Sequence, residues 1–204
     1  ADFRGADLSN SDLRNTFLIH SDLIKVNLSG ANARNSRWKY ADLTEANLQN
    51  SNLIDIELVY AKLNGANLAN ASLRNASLYG ADLTGANLTG ANLTGAILLG
   101  TNLTGTNLTG ADLTGANLSG VNLNSANLTG ANLTGADLRG ANLIDVNLGG
   151  TKLSLAQLTD AFLSYSNLAA AIPVNVIPTE VIPVDVIPTE VIPVDVIPTE
   201  TDLS

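Results

Sequence analysis

An apolar side chain, nearly always a large one, returns at every fifth residue from Phe3 to Leu168, without a slip in phase. This gives 34 successive pentads, and 31 of them hold Leu at that position; the exceptions are Phe3, Ala33 and Trp38. A period of five fits neither an α-helix, with about 3.6 residues per turn, nor a flat strand, with a period of about 2. The pattern therefore predicts a repeat architecture in which every unit turns a corner.

The other positions of the pentad account for the corner. We number the slots 1 to 5, with the large apolar residue in slot 3. Slot 1 is Ala, Ser or Thr in 30 of the 34 pentads, slot 2 is Asn or Asp in 24, and slot 5 is Gly, Asn or Asp in 25. Slots 1 and 3 are expected to face a narrow interior. Slot 2 side chains are suited to binding the backbone amide two residues on, and slot 5 residues tolerate the positive φ of a tight turn.

This pattern resembles the pentapeptide repeat family, whose motif is A-[DN]-L-x-x. Residues Ala81–Gly90 match that motif without a departure. The resemblance covers residues 1–170 and implies an all-β fold, a right-handed quadrilateral β-helix with four pentads per coil. It implies about 8.5 coils at a strand spacing of roughly 4.8 Å, hence a rod about 40 Å long.

A second repeat follows the first. From Ile172 to Glu200 the chain reads Ile-Pro-x-x-Val, contains all six prolines and lacks the turn glycines. Because proline has no N–H to donate, a Pro in every pentad is incompatible with a central ladder. We therefore divide the chain into a β-helix at 1–170 and an extended tail or linker at 171–204, with continuation of the solenoid as the alternative. The pentad pattern resumes at Thr201–Ser204 and begins in mid-pattern at Ala1, which suggests a segment of a longer protein.

Composition disfavours several kinds of site. The chain has no Cys and one His, so disulfides, thiolate metal sites and zinc clusters are excluded, and His20 is expected to be an ordinary exposed turn residue. We expect no cofactor, no metal and no catalytic set. The net charge is −9, of which the six acids after residue 171 supply −6. No apolar run approaches about 18 residues, which predicts no membrane span. We expect a soluble segment, cytoplasmic by default.

Residues twenty apart share one face of such a coil, and one face differs from the other three. On the face centred on Leu18, slot 2 departs from Asn or Asp in six of eight pentads, against four of 26 elsewhere. Outward slots of this face hold aromatic, aliphatic and basic side chains in the first five coils. We call the following set the strip and predict that it binds a partner: Phe17, Ile19, Arg37, Lys39, Tyr40, Val59, Tyr60, Tyr79, Ile97 and Leu99.

Three interpretations of the strip stay open. An apolar and aromatic surface rimmed by Arg37 and Lys39 is typical of a contact with another protein. The alternatives are cover by the chain's own tail or by a second copy of the chain, and drift on a tolerant surface. Trp38 also leaves two interpretations: it points inward into space left by Ala33, or a bulge turns it outward.

These features predict a non-enzymatic interaction module, a rigid rod that presents the strip to an unidentified protein. The resemblance implies one alternative, DNA mimicry, because some pentapeptide repeat proteins expose acidic side chains and bind type II topoisomerases. That role needs a dense negative surface, whereas residues 75–136 carry only Asp82 and Asp112 as charges. No direct binding of nucleic acid is expected. The second alternative is an ice or carbohydrate binder using ladders of Thr, but the ladders lie on three faces and not on one.

Overall fold

The computed structural model describes residues 1–167 and 170–171. Slot 2 of each pentad forms a parallel bridge with slot 2 twenty residues later, from Asp2–Asp22 to Asn142–Phe162. Twenty residues, or four pentads, therefore make one coil, and each side of the coil is one bridged residue followed by a turn. The predicted all-β, right-handed quadrilateral β-helix is confirmed. The Ile-Pro-x-x-Val tail lies outside the described residues.

Backbone hydrogen bonds join each coil to the coils on either side. In the pentad 86–90, the N–H groups of slots 2, 3 and 5 donate to carbonyls of neighbouring coils at 2.7–2.9 Å. The N–H of Ala91, which opens the next pentad, donates back to the carbonyl of Leu88 at 3.0 Å and closes the turn. Four of the five N–H groups in a pentad thus have a backbone acceptor.

The remaining N–H of the pentad, that of the slot 4 residue, donates instead to the slot 2 side chain two residues earlier. The N–H of Thr109 lies 3.1 Å from Oδ1 of Asn107. The same bond is present in every pentad from Asp2 to Asn147 that carries Asn or Asp in slot 2. The preference for Asn and Asp is therefore a demand for an acceptor that the backbone of the coil does not supply.

Slot 5 carries the corner. Every slot 5 residue from Gly5 to Tyr165 has a φ between 53° and 67°. A positive φ at the third residue of a turn is the requirement of a type II turn. Non-glycine residues such as Tyr40 and Tyr60 also adopt this conformation, with φ of 59° and 55°, at a conformational cost of about 1 kcal/mol each.

The interior is a column of Leu side chains separated by small residues. Leu88 and Leu93 are fully buried, as is Ala91 between them. Trp38 is also fully buried, and its indole N–H donates to Oγ1 of Thr16 at 3.1 Å. The inward interpretation of Trp38 is therefore correct and the outward bulge is wrong. The small Ala33 at the preceding corner accounts for the space. No helix in the described part of the chain is long and apolar enough to cross a membrane.

Leu88→Lys is expected to unfold its own coil and the neighbouring ones. The new ammonium group would be buried without a partner, and the narrow interior offers no route to water. Thr89→Lys, one residue on and facing outward, is the matched control and is expected to cost at most about 1 kcal/mol. Equal losses of thermal unfolding midpoint in the two variants would contradict the assignment of inward and outward slots.

Asn107→Ala is expected to destabilise the rod by about 1 kcal/mol, because it leaves the N–H of Thr109 without its acceptor. Asn107→Asp keeps the acceptor and is expected to retain most of the stability. Urea unfolding of the two variants and the parent measures the difference. Equal destabilisation by Ala and Asp would show that the slot 2 side chain acts in some other way.

Candidate functional site: the exposed strip

The structure brings the predicted site residues together on one side of the rod. Slot 2 residues of this face form one continuous column of bridges, and every member of the strip is exposed or half-buried. Phe17 has 67 % of its surface exposed. In the first five coils the members of this bridge column are Phe17, Arg37, Glu57, Ser77 and Ile97. Whether the strip binds a partner stays a prediction.

Four rings of this face form one continuous stack. The rings of His20 and Tyr40 lie 4.7 Å apart at 7°, and those of Tyr40 and Tyr60 lie 5.5 Å apart at 15°. Tyr79 meets Tyr60 edge-on, at 5.3 Å and 75°. His20, expected to be an ordinary turn residue, is thus the outermost ring of the stack. His20 stands twenty residues before Tyr40, so its position alone places it on the same face, but the ten predicted residues did not include it.

Gly80 makes room for the ring of Tyr60 in this stack. It stands in slot 5, twenty residues after Tyr60, with φ of 62°. A Cβ at Gly80 would overlap Cε1 of Tyr60, so any side chain there would displace the ring. The Tyr60 ring therefore rests over the Gly80 turn, in a position where it also meets Tyr79.

The basic rim is held by an acid that the sequence analysis left out of the strip. Glu57 lies 2.8 Å from Nζ of Lys39 and 3.2 Å from Nε of Arg37. The Lys39 ammonium, with a further contribution from Arg37, lowers the pKa of the Glu57 carboxyl against the opposing effect of its partial burial. The Arg37 guanidinium also lies 5.6 Å from the centre of the Phe17 ring. Two cations share one anion, so the group keeps a net positive charge.

The strip also differs from the other faces in its backbone. Slot 2 of its first five coils has neither Asn nor Asp, so the slot 4 N–H groups lack their usual acceptor. Among the described residues no acceptor is present for five N–H groups in this column: those of Ile19, Lys39, Val59, Tyr79 and Leu99. One coil beyond the last of them, the N–H of Ser119 again donates to a slot 2 side chain, that of Asn117, at 3.0 Å.

On the other three faces the hydroxyl groups of the Thr ladders already have partners within the rod. Oγ1 of Thr104 donates to Asn102 at 2.7 Å, and Oγ1 of Thr109 donates to Asn107 at 2.6 Å. These hydroxyls reinforce the same Asn acceptor that the backbone uses. The ladders of Thr are therefore explained by the structure of the turn and present few free donors.

No group of three or more His, Cys, Asp or Glu side chains in the described part of the chain is placed to hold a metal ion.

A second set of exposed apolar residues lies near the C-terminal end of the rod, on faces other than that of the strip. No regularity of the sequence pointed to it. Its members are Leu155, Phe162 and Tyr165.

Comparisons with known proteins agree with this architecture. The family model described as pentapeptide repeats (8 copies) matches residues 1–37, 27–59, 55–90, 86–124 and 122–160. No protein of curated function matches the sequence. Among solved structures, the chain is similar to HetL, a pentapeptide repeat protein involved in heterocyst differentiation regulation from the cyanobacterium Nostoc sp. strain PCC 7120. The two share 36 % identity over 84 % of each chain, with a TM-score of 0.41.

Two other solved structures are similar in different ways. Rfr23, a pentapeptide repeat protein from the cyanobacterium Cyanothece 51142, is 31 % identical over 57 % of this chain and 90 % of its own, with a TM-score of 0.52. QnrB1, a plasmid-mediated fluoroquinolone resistance protein, has a TM-score of 0.74 over 84 % of this chain and 87 % of its own, but only 17 % identity. The likeness to QnrB1 is one of fold alone.

The stack makes a prediction about titration. The neighbouring Tyr79 hydroxyl, followed by partial burial, raises the pKa of the Tyr60 phenol above its ordinary value. Tyr79→Phe is therefore expected to bring the pKa of Tyr60 back down toward that value, with Tyr165→Phe, outside the stack, as the control. Absorbance titration of the phenolates at alkaline pH measures the shift. An unchanged titration curve for Tyr60 in Tyr79→Phe would contradict the contact between the two hydroxyls.

Proposed function

Because the chain belongs to the pentapeptide repeat family, we propose that it is a non-enzymatic interaction module, a rigid β-helical rod that offers the strip to a protein partner. Members of this family are generally non-enzymatic structural repeat proteins. The observation that supports the proposal is the concentration of exposed rings and aliphatic side chains on one face. Outside the strip, the Thr side chains of the middle coils, such as Thr104 and Thr109, donate to the Asn side chains that close the turns of the rod.

The strip has the properties of a preorganised contact surface. Large, rigid side chains such as Tyr contribute most of the energy in protein interfaces. The rings of Tyr40 and Tyr60 are already ordered by stacking, so their binding would cost less conformational entropy than that of free side chains. Arg37 is likewise held between Phe17 and Glu57. Each of these groups faces outward and none is needed to fill the core.

The distribution of charge disfavours DNA mimicry. A dense negative surface is what that role requires. Asp2 and Asp12 are each paired with an arginine two residues on, at 2.7 Å and 2.6 Å, and those arginines lower the pKa of each carboxyl to about 2. The middle coils carry only Asp82 and Asp112. The acids of the rod are therefore few and largely neutralised. Fluoroquinolone resistance is the role of QnrB1, with which this chain shares the fold alone.

The double change Tyr60→Ala and Tyr79→Ala is expected to weaken binding to the partner by about 2 kcal/mol or more, because two central rings of the strip are lost. Thr89→Ala with Thr109→Ala, on the opposite face, is the matched control and is expected to bind as the parent does. Each full-length protein serves as bait in an extract of the source cells, and the dissociation constant is then measured with the purified partner. Circular dichroism melts establish that all three proteins fold.

Two outcomes would contradict the proposal. One is capture of the same proteins, with equal affinity, by the parent and by the variant without the two tyrosines. The other is loss of binding in the control, which would move the contact to the face with the hydroxyl ladder. Capture by the parent and the control alone supports the strip as the contact surface.

A further inference from the structure

The free N–H groups of the strip form a donor column that runs parallel to the rod axis. They come from Ile19, Lys39, Val59, Tyr79 and Leu99, one in each of five successive coils. Parallel-bridged coils are about 4.8 Å apart, so the column spans about 19 Å. A protein seldom leaves such groups without an acceptor when a ligand covers them. A molecule bound to the strip therefore has to bring its own acceptors at this spacing.

The spacing favours one class of backbone. A polyproline II segment rises about 3.1 Å per residue with three residues per turn, so one carbonyl in three points to the same side, every 9.3 Å or so. That distance is close to two coils, about 9.6 Å. A β-strand places carbonyls on one side about every 6.7 Å and falls out of register with the column within two bonds. A polyproline II segment of about seven residues would match the donors of Ile19, Val59 and Leu99.

The charge of the strip favours the same kind of ligand. Arg37 and Lys39 share the single carboxylate of Glu57, so the middle of the strip is positive. The free N–H groups add to this positive potential, because each presents the positive end of its dipole. The rings and aliphatic side chains beside them are apolar. The complementary ligand is an extended segment that carries acidic residues, free carbonyls and aliphatic side chains. Aromatic-lined surfaces recognise polyproline II segments in several protein domains.

We infer that the occupant of the strip is the chain's own tail, residues 172–200, bound as an extended segment along the donor column. This inference rests on the proposed function, since it concerns the same surface. The Ile-Pro-x-x-Val segment is the only part of the chain that meets every requirement: residues 172–204 hold six acids and no base, with Ile and Pro in each repeat and Val in all but the last. Proline residues supply carbonyls while adding no N–H of their own.

The tail is long enough to reach its site. At about 3.1 Å per residue, residues 172–200 extend to about 90 Å. The strip ends at Leu99, about 3.5 coils or about 17 Å from the C-terminal end of the rod. About six residues, a fifth of the tail, would cover that distance along the axis, and about seven residues would fill the donor column. The tail would then compete with the partner for the same surface and lower the partner's apparent affinity.

Amide hydrogen exchange in the full-length protein tests the inference at single residues. Bound donors are expected to exchange at least about tenfold more slowly than free ones. We expect this protection at Ile19, Val59 and Leu99. The matched controls are the slot 4 amides of Asn64 and Arg74, which also lack an acceptor among the described residues but lie on other faces. Exchange of the strip amides at the rate of these controls would overturn the inference.

A pair of variants separates the donors from the side chains. Slot 4 is the second residue of the turn, where proline is favoured, so Val59→Pro with Leu99→Pro removes two N–H groups and keeps the turn. Val59→Ala with Leu99→Ala removes the aliphatic groups and keeps the N–H groups. The readout is cleavage by a Glu-specific protease after Glu180 and Glu190. The Pro pair is expected to be cleaved at least about fivefold faster than the Ala pair. Equal rates for the two pairs would overturn the inference.

Folding and function are controlled in the same experiment. If the Pro pair melts below the parent, Tyr60→Ala with Tyr79→Ala replaces it, because both rings face outward, and faster cleavage of the tail is again the expected result. Unchanged cleavage in that variant would overturn the inference by itself. The bait comparison decides the proposed function separately. Loss of partner binding without any effect on the tail would leave the proposed function standing and reject the tail as occupant.

Discussion

The structure depends on where each pentad finds an acceptor for the N–H of its slot 4 residue. A coil of twenty residues pairs four donors of each pentad with backbone carbonyls, and the turn leaves the slot 4 donor without one. Asn or Asp in slot 2 supplies the missing acceptor from a side chain, as Asn107 does for Thr109. Each bond contributes about 1 kcal/mol. Because the bond recurs in most pentads, the small slot 2 residue is as much a part of the fold as the buried Leu.

The strip is the place where the chain gives up this bond repeatedly. Phe17, Arg37 and Ile97 stand where an acceptor is expected, and the neighbouring backbone donors are free among the described residues. Two of these three side chains are apolar and exposed. A folding advantage does not explain an exposed ring at the expense of a hydrogen bond. Stability lost at one surface of a regular protein is typical of a site kept for binding.

Much of this was predictable from the sequence. The five-residue period predicted the coil, and sorting residues by twenty placed all ten strip residues on one face before any coordinates. The small Ala33 before Trp38 supported an inward indole. Pairwise geometry was not predictable in the same way. Period and slot do not specify a rotamer, so the bridge from Glu57 to Lys39, the ring of His20 on Tyr40 and the place of Tyr60 over Gly80 emerged only from the structure.

The thermal unfolding midpoint of the double variant Ser77→Asn and Ile97→Asn tests the central claim most directly. Both changes return the family's acceptor to slot 2 and offer it to the N–H groups of Tyr79 and Leu99. If the strip has given up these bonds for binding, the variant should melt at a higher temperature than the parent, by several degrees for about 2 kcal/mol. A lower midpoint would mean that Ser77 and Ile97 serve the fold, and would contradict the account.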